Sequence, residues 1–209
     1  MRALAWCGVI APLLRLGLIL VVGSLHPGYS QLRDFISELG AQGAPFGQVM
    51  NAGISLVGLL LTLFSVALYR VCNSSPLGLG GAALLGLSGL AFIAVGLFPC
   101  DPGCSLRAPS PVMRVHLLAG IIGMTMQAAA PLAMGLRFVT DSKDRSYAVV
   151  SLACGFLAAG ALLLLFGQGS RLSFPGLVQK TAQAATGLWV LVSAAYVLRR
   201  LPMSRPTTG

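Results

Sequence analysis

Residues 148–167 read AVVSLACGFLAAGALLLLFG and contain no charged side chain. A helix that crosses a bilayer needs about 20 mostly apolar residues, and this stretch meets that requirement. Its apolar residues do not alternate with a period of two, which is the pattern of a strand in a membrane barrel. The stretch therefore predicts a transmembrane α-helix and indicates that the chain is an integral membrane protein.

Five other stretches satisfy the same requirement of length and composition. The six predicted spans are 4–25, 48–70, 79–98, 112–136, 148–167 and 176–198. The connections between them are short, so neighbouring helices should be antiparallel. We therefore predict a single all-helical membrane domain over residues 1–209, a bundle of six spans with no visible repeat between its halves.

The composition excludes the common soluble classes. The 209-residue chain is 56% hydrophobic and 9% charged, whereas a soluble domain has about 25% charged residues. The net charge is +9, but the cations are spread singly between apolar stretches, so we predict no nucleic-acid partner. The first span could instead be a cleaved signal peptide, but its long apolar stretch, interrupted by Arg15, favours a retained helix.

Cationic residues near the helix ends predict the orientation, because they gather on the cytoplasmic side. One face of the predicted bundle carries Arg2, Arg70, Arg137, Lys143, Arg145, Arg199, Arg200 and Arg205, and the other carries Arg33, Arg107, Arg114, Arg171 and Lys180. The first face has the larger number and also holds both chain ends. We therefore predict a multi-pass protein of the cell membrane (inner or plasma membrane) with both termini cytoplasmic.

Two of the five cysteines, Cys100 and Cys104, fall on the outer side of this topology. They flank Asp-Pro-Gly, which is a turn-forming stretch. In an oxidising compartment a disulfide is possible, and a pair of free thiols is equally consistent with the spacing. The spacing alone is weak evidence for a metal site.

The connection 26–46 contains an amphipathic pattern. Leu32, Phe35, Ile36 and Leu39 recur at helical spacing, which predicts a short interfacial helix over residues 30–39. Ser30 would cap this helix and Gly40 would end it. The polar side of the helix is either simply solvated, or Ser37 and Glu38 fold back over the mouth of the bundle.

Small and polar residues line one face of span four. They are His116, Gly120, Gly123, Gln127 and Ala130, and span three has a similar stripe of Ala82, Gly86, Gly89 and Gly96. Such stripes allow close helix packing, either within the bundle or between copies in a homo-oligomer. His116 is then a packing residue, or it forms a carboxylate–imidazole pair with Asp101, which could otherwise cap a helix.

Polar residues in or beside spans are costly and therefore informative. In the predicted topology a cluster maps to the outer third of the bilayer: Glu38, Asn51, Asp101, His116, Gln179 and Lys180. This cluster is the strongest functional signal in the chain. Arg15 stands apart in the middle of span one, where no acidic residue of another span can pair with it, and we favour a structural or lipid contact for it.

An ordered set of short motifs runs along nearly the whole chain. It consists of PGYS at 27–30, ISELG at 36–40, NAG at 51–53, GLFPCD at 96–101, His116, GLVQK at 176–180 and Trp189. In this combination the chain resembles the prokaryotic membrane family catalogued as domain of unknown function 998. The resemblance implies a six-helix integral membrane protein and brings no catalytic residues.

More distantly, the Ser-Glu-Leu-Gly loop, the Phe-Pro pair and the membrane-entry histidine resemble the eukaryotic Frag/DRAM/Sfk group. That group is linked to lipid remodelling and lipid asymmetry, so the resemblance implies a connection with lipid. The loop departs from the group, which tends to carry an Asp-Thr-Gly variant there.

We favour binding or handling of membrane lipid in an outer-facing cleft, without a cofactor. Lys180, Arg114 or Arg171 would meet a phosphate. The other expected ligand contacts are Ser37, Asn51 and Gln179.

Two alternatives stay open. The first is an intramembrane lipid-modifying enzyme in which His116 is the general base, oriented by Asp101, with Glu38 as a second acid/base group. The second is a small-molecule transporter lined by Arg15, Gln127 and Gln183. A zinc site built from His26, His116, Asp101 and Glu38 has suitable ligand types but no ligand spacing, so we predict no metal.

Overall fold

A computed structural model of the chain describes residues 1–72, 75–140, 143–168 and 171–201, and within them it contains six long α-helices and no strand. The helices are α1 (Arg2–Leu25), α2 (Gly47–Cys72), α3 (Pro76–Leu97), α4 (Pro111–Phe138), α5 (Arg145–Gln168) and α6 (Pro175–Arg200). All six are long and apolar enough to cross a membrane. The prediction of an all-helical, six-span bundle is confirmed. Arg205, one of the cations used for the orientation, lies outside the described residues.

The helices form a closed ring. Each packs mainly against its neighbours in the chain, and α6 closes the ring against α1. Because successive helices run antiparallel, the start of α1 and the end of α6 lie at one end of the bundle, which we call the terminal face. The opposite end carries the connections 26–46, 98–110 and the one between α5 and α6, and we call it the loop face. The halves of the bundle next to these faces are the terminal half and the loop half.

Local signals set where the helices begin. Ser75 and Ser110 precede α3 and α4, and their hydroxyls accept hydrogen bonds from the backbone of Gly78 and Met113 at 3.1 Å each. A proline follows each of these two serines, at a position where its missing N–H costs no hydrogen bond. These caps satisfy backbone donors that the helix itself leaves unpaired.

Glycines allow α2 and α3 to approach closely. A Cβ added at Gly89 would lie 2.5 Å from the carbonyl oxygen of Gly58 and 2.8 Å from the nitrogen of Thr62, and both of these atoms are backbone. The Thr62 hydroxyl donates across the contact to the Gly86 carbonyl at 3.3 Å. On α4, Gly123 faces Ala91 of α3. Gly86 and Gly89 of span three and Gly123 of span four therefore pack against helices of the same chain.

The terminal half is filled by large side chains, and the polar atoms of Trp189 and Tyr147 are paired there. Trp189 is completely buried, and its indole nitrogen donates to the Ser151 hydroxyl at 3.1 Å. The hydroxyls of Tyr147 and Ser193 share a hydrogen bond of 2.9 Å. Phe64 of α2 is also fully buried. This half is thus packed in the manner of a protein interior.

The predicted interfacial helix over 30–39 is wrong. Residues 31–33 form a turn, Phe35 is extended (φ −71°, ψ 152°), and a short 3₁₀ helix spans Ile36–Gly40. The carbonyls of Leu32 and Arg33 accept hydrogen bonds from the backbone of Leu177 and Gly176 in the first turn of α6. The amphipathic periodicity is present, but these carbonyls satisfy the helix end of α6 instead of continuing a helix of their own.

Candidate functional site

The loop half contains a partly open cavity of about 940 Å³. It extends from Arg15 in α1 to Arg171 at the loop face, and all six helices contribute to its lining. Its walls are largely apolar and include Ile54, Phe92 and Met124.

Arg15 forms the floor of the cavity and is only 6% exposed. One terminal nitrogen of its guanidinium, Nη1, donates to Oε1 of Gln127 at 3.0 Å and also to Oε1 of Gln183. The guanidinium carbon lies 4.5 Å from the centre of the Phe92 ring, a cation–π contact. The other terminal nitrogen, Nη2, is buried and has no hydrogen-bond partner.

The charge of Arg15 is not neutralised by an acidic side chain. The four carboxylates that the structure describes have partners elsewhere, and Arg15 forms an ion pair with none of them. A cation at the centre of a membrane span costs about 2.5–3.5 kcal/mol on insertion scales, and more on some other scales. The two glutamine oxygens and the Phe92 ring offset part of this cost without removing the charge.

Two amide side chains hold the roof of the cavity, which is the segment Phe35–Gly40. The Asn51 side chain of α2 donates to the Gly40 carbonyl at 2.8 Å. The Gln179 side chain of α6 accepts from the Ile36 backbone at 2.7 Å. Ser37 of the same segment lines the cavity, so the expectation that residue 37 folds over the mouth of the bundle agrees with this geometry.

Glu38 and Lys180 stabilise the roof from its far side. A Glu38 carboxylate oxygen accepts from the Phe35 backbone at 2.8 Å, and the Lys180 ammonium donates to the Asp34 carbonyl at 2.8 Å while lying over the Tyr29 ring. Partial burial, and to a smaller degree the negative charge of Asp34, raises the pKa of Glu38 above its usual range. Glu38 and Lys180 do not line the main cavity.

Of the two alternatives for His116, the pair with Asp101 is not present in the structure. The Asp101 carboxylate accepts from the Ser110 hydroxyl at 2.6 Å and from the Ser110 backbone at 2.9 Å. These hydrogen bonds hold the pKa of Asp101 below its usual range. The Nδ1 atom of His116 instead donates to the Phe98 carbonyl at 2.8 Å, since a carbonyl can only accept. Asp101 thus braces the start of α4, while His116 joins α4 to the end of α3.

A disulfide ties the loop face together. Cys100 and Cys104 are bonded, with 5.2 Å between their Cα atoms. The Gln42 backbone donates to the Cys100 carbonyl at 2.9 Å, which joins this connection to the roof of the cavity. Cys104 lines the cavity close to its mouth.

The structure sorts the sequence-derived candidates into three groups. Those that line the cavity are Ser37, Asn51, His116, Arg171 and Gln179; those that stabilise its surroundings are Glu38, Asp101 and Lys180; Arg114 is exposed on α4 and does not line it. Of the three cations expected to meet a phosphate, Arg171 lines the cavity, Lys180 donates to the Asp34 carbonyl beside it, and Arg114 is exposed on α4 outside it.

Sequence reasoning did not assign Arg15 and Gln183 to the same site as His116 and Gln179. The sequence does show how far each of these two residues lies from the end of its helix. At 1.5 Å per residue, Arg15 lies roughly 15 Å and Gln183 roughly 12 Å from the loop end of its helix, so the two side chains can meet. What the sequence lacked was the rotation of α1 and α6 about their axes.

Comparison with known proteins gives one match. A family model described as "Protein of unknown function (DUF998)" matches residues 9–196. No curated protein and no solved structure matches the chain.

Proposed function

We propose that this chain, which belongs to the family described as "Protein of unknown function (DUF998)", binds a membrane amphiphile in the cavity of its loop half. An amphiphile is a molecule with one polar end and one apolar part. The observation that carries the proposal is the cavity itself, with its apolar walls and its few polar groups. Sites for small molecules have volumes of about 300–1,000 Å³ and the same mixture of surfaces.

The position of the cavity favours a ligand that enters from the bilayer. In the terminal half α4 and α5 pack closely, since a Cβ at Gly135 or Gly155 would meet the backbone of the facing helix within about 3.1 Å. Nearer the loop face both helices line the cavity instead, and there Ile121 of α4 and Phe166 of α5 are exposed. An amphiphile can thus keep its apolar part in contact with lipid while its polar end enters the bundle between α4 and α5.

Binding is a better account of this geometry than catalysis. The enzyme hypothesis needs His116, Asp101 and Glu38 in one group, but each of them hydrogen-bonds to a different part of the loop face. A transport path is less supported as well. The cavity reaches no deeper than Arg15, and the terminal half contains the fully buried Trp189 and Phe64.

A plug at Gly120 tests the proposal. Gly120 lines the cavity, and a Cβ there would meet nothing within 4 Å, so Gly120→Trp fills the cavity without displacing backbone. Gly160→Trp is the matched control, because Gly160 also has open space around it but is exposed on α5 away from the cavity. Both changes are from glycine to the same residue within a helix.

The measurement is native mass spectrometry of protein purified from its own membranes in mild detergent. We expect a bound amphiphile on the wild type and on Gly160→Trp, and a loss of most of that occupancy in Gly120→Trp. Bare wild-type protein, or equal occupancy in the two variants, would contradict the proposal.

The orientation is part of the same proposal: the loop face lies outside, and both termini are cytoplasmic in the cell membrane. The disulfide supports it, since disulfides persist in oxidising compartments. In a chain with Cys7→Ser, a membrane-impermeant thiol reagent added to intact cells should label Ser173→Cys and not Lys143→Cys. The opposite labelling pattern would reverse the orientation.

A homo-oligomer, if formed, would use surfaces other than the stripes of spans three and four. The glycines Gly86, Gly89 and Gly123 already face side chains of the same chain. Gly17 and Gly160 have open space around them and are exposed, so they are the better candidates for a contact between copies.

A further inference from the structure

The floor of the cavity carries a positive charge that its neighbours leave unmatched. The hydrogen-bond acceptors of Arg15 are the side-chain oxygens of Gln127 and Gln183, and both are neutral. No acidic side chain among the described residues pairs with it. One guanidinium nitrogen remains without a partner on a residue that is 6% exposed and that lines the cavity.

Arg15 cannot reach interfacial water along the surface of the bundle. It lies roughly 15 Å along the axis from the loop end of α1, which is half of the hydrocarbon thickness of about 30 Å. Long cationic side chains near helix ends place their charge at the interface, but this arginine is too deep to do so. Any counter-ion must therefore come through the cavity.

The guanidinium is also held in a fixed position before a ligand arrives. Because it can only donate, both glutamines must present their oxygens to it, which fixes the orientation of their amides. Phe92 contacts the guanidinium from the wall of the cavity. A donor that is already positioned loses little entropy when it binds an anion.

We propose that the floor is an oxyanion site and that the occupant of the cavity is a single-chain carboxylate of the fatty-acid class. Its carboxylate accepts hydrogen bonds from Arg15, and its apolar chain follows the walls toward the gap between α4 and α5. This inference rests on the proposed function, and it adds the chemistry of the ligand and the direction in which it lies.

A carboxylate fits the floor better than a phosphate monoester. One cation stands there, and a carboxylate brings a single negative charge that matches it. A phosphate monoester carries about −1.5 to −2 at neutral pH and would leave negative charge buried in an apolar cavity. The cation Arg171 precedes α6 at the exposed mouth, whereas Gln183 at the floor lies roughly 12 Å inside that helix, so Arg171 does not change this balance.

The first experiment compares three ligands that share one chain. Oleate, oleyl alcohol and oleyl phosphate are titrated into the full-length protein in a neutral detergent at about pH 8, with calorimetry as the readout. We expect oleate to bind at least about tenfold more tightly than the alcohol, the size expected of one charge-assisted hydrogen bond. We also expect oleyl phosphate to bind no more tightly than oleate.

The possible failures are distinguishable. If the alcohol binds as well as oleate, the cavity still binds an amphiphile, but the oxyanion site is overturned. If the phosphate binds more tightly than oleate, the carboxylate assignment is overturned. If none of the three binds, the proposed function fails as well. None of these comparisons depends on a variant folding correctly.

Two variants then locate the charge that is responsible. In Arg15→Met the preference for oleate over the alcohol should disappear, while the alcohol still binds and shows that the cavity is intact. In Arg171→Met, which removes the cation at the mouth, the preference should persist. If Arg171→Met abolishes the preference and Arg15→Met retains it, the carboxylate lies at the mouth and the proposal is wrong.

Discussion

Buried polar side chains have different kinds of partner in the two halves of this bundle. In the terminal half, the buried Trp189 and Tyr147 each hydrogen-bond to a serine of a neighbouring helix, and at the terminal face Arg200 forms an ion pair with Asp144 at 2.6 Å. In the loop half, a buried arginine has only neutral acceptors and borders a cavity of about 940 Å³.

This difference separates residues that stabilise the fold from residues that are available for a ligand. A paired polar group in a packed interior is satisfied by the protein alone. An arginine that is buried, only partly paired and adjacent to an unfilled volume is not satisfied in that way. Substitutions in the terminal half should therefore reduce mainly stability, whereas substitutions at the floor of the cavity should reduce mainly binding.

The largest expected effect tests the packed half. Trp189→Ala removes a completely buried indole and leaves the Ser151 hydroxyl without its donor, so we expect a loss of about 3–5 kcal/mol in the free energy of unfolding. Its neighbour Leu188 is 54% exposed, and Leu188→Ala should cost much less. Denaturation of both variants in the same detergent measures the difference. Equal losses would mean that the terminal half is not packed as described.

The next largest effect on stability is expected at the contact between α2 and α3, which runs along both halves of the bundle. Gly89→Ala places a methyl group against the Gly58 carbonyl and the Thr62 backbone, so we expect a cost of about 1–3 kcal/mol from overpacking.

Gly80→Ala is the matched control on the same helix, because it has nothing within 4 Å and should stabilise α3 by about 0.5–1 kcal/mol through helix propensity. Thermal unfolding should show opposite signs for the two variants. If Gly89→Ala were more stable than the wild type, the close contact between α2 and α3 would be contradicted.

A smaller effect on stability is expected at the floor of the cavity. Arg15→Met removes the cost of a buried charge, and this gain is offset because the buried oxygens of Gln127 and Gln183 lose their donor. We expect a change of less than about 1 kcal/mol in unfolding, set against the loss of oleate preference. A loss as large as that of Trp189→Ala would assign Arg15 a structural role and weaken the contrast between the halves.

The smallest expected effects are changes of stability with pH, which come from two carboxyl groups at the loop face. The pKa of Asp101 is lowered in the folded chain, so its contribution to stability is present at neutral pH and is lost as the pH falls through the folded value. The pKa of Glu38 is raised, so its contribution has the opposite sign: it is present below the ordinary value of about 4.3 and is lost as the pH rises through the folded value.

Melting temperatures between about pH 3 and about pH 8 should show these two signs. Asp101→Asn should reduce the loss of stability that the wild type shows as the pH falls. Glu38→Gln, whose amide oxygen can still accept from Phe35, should raise stability at neutral pH and leave it unchanged in acid. A wild-type profile that neither variant alters would mean that neither carboxyl differs between the folded and unfolded chain.

Much of the fold could be predicted because each span is a local property. Residues 148–167 predict a helix without reference to any other segment, and α5 contains them. The segment 30–39 could not be predicted in the same way. Its periodicity favours a helix, but the carbonyls of Leu32 and Arg33 are used by the first turn of α6, a partner more than 140 residues away in the chain.

The candidate site was predictable in part. The sequence predicts that Asn51, His116 and Gln179 lie at the same end of the bundle, and all three line the cavity there. The prediction was possible because the distance of each residue from its helix end follows from the sequence. Their partners were not predictable. The sequence suggested Asp101 as the partner of His116, whereas the structure gives His116 the Phe98 carbonyl.

The amino-acid composition of each segment is enough to predict six membrane-spanning helices and the depth of each polar residue within them. This is possible because a bilayer imposes the same requirement of length and apolar composition on every span separately. Only the tertiary structure decided that Arg15, Gln127 and Gln183 meet beneath a cavity. That outcome depends on how each helix is rotated about its axis and on where α4 and α5 stop packing closely, and no single segment encodes either.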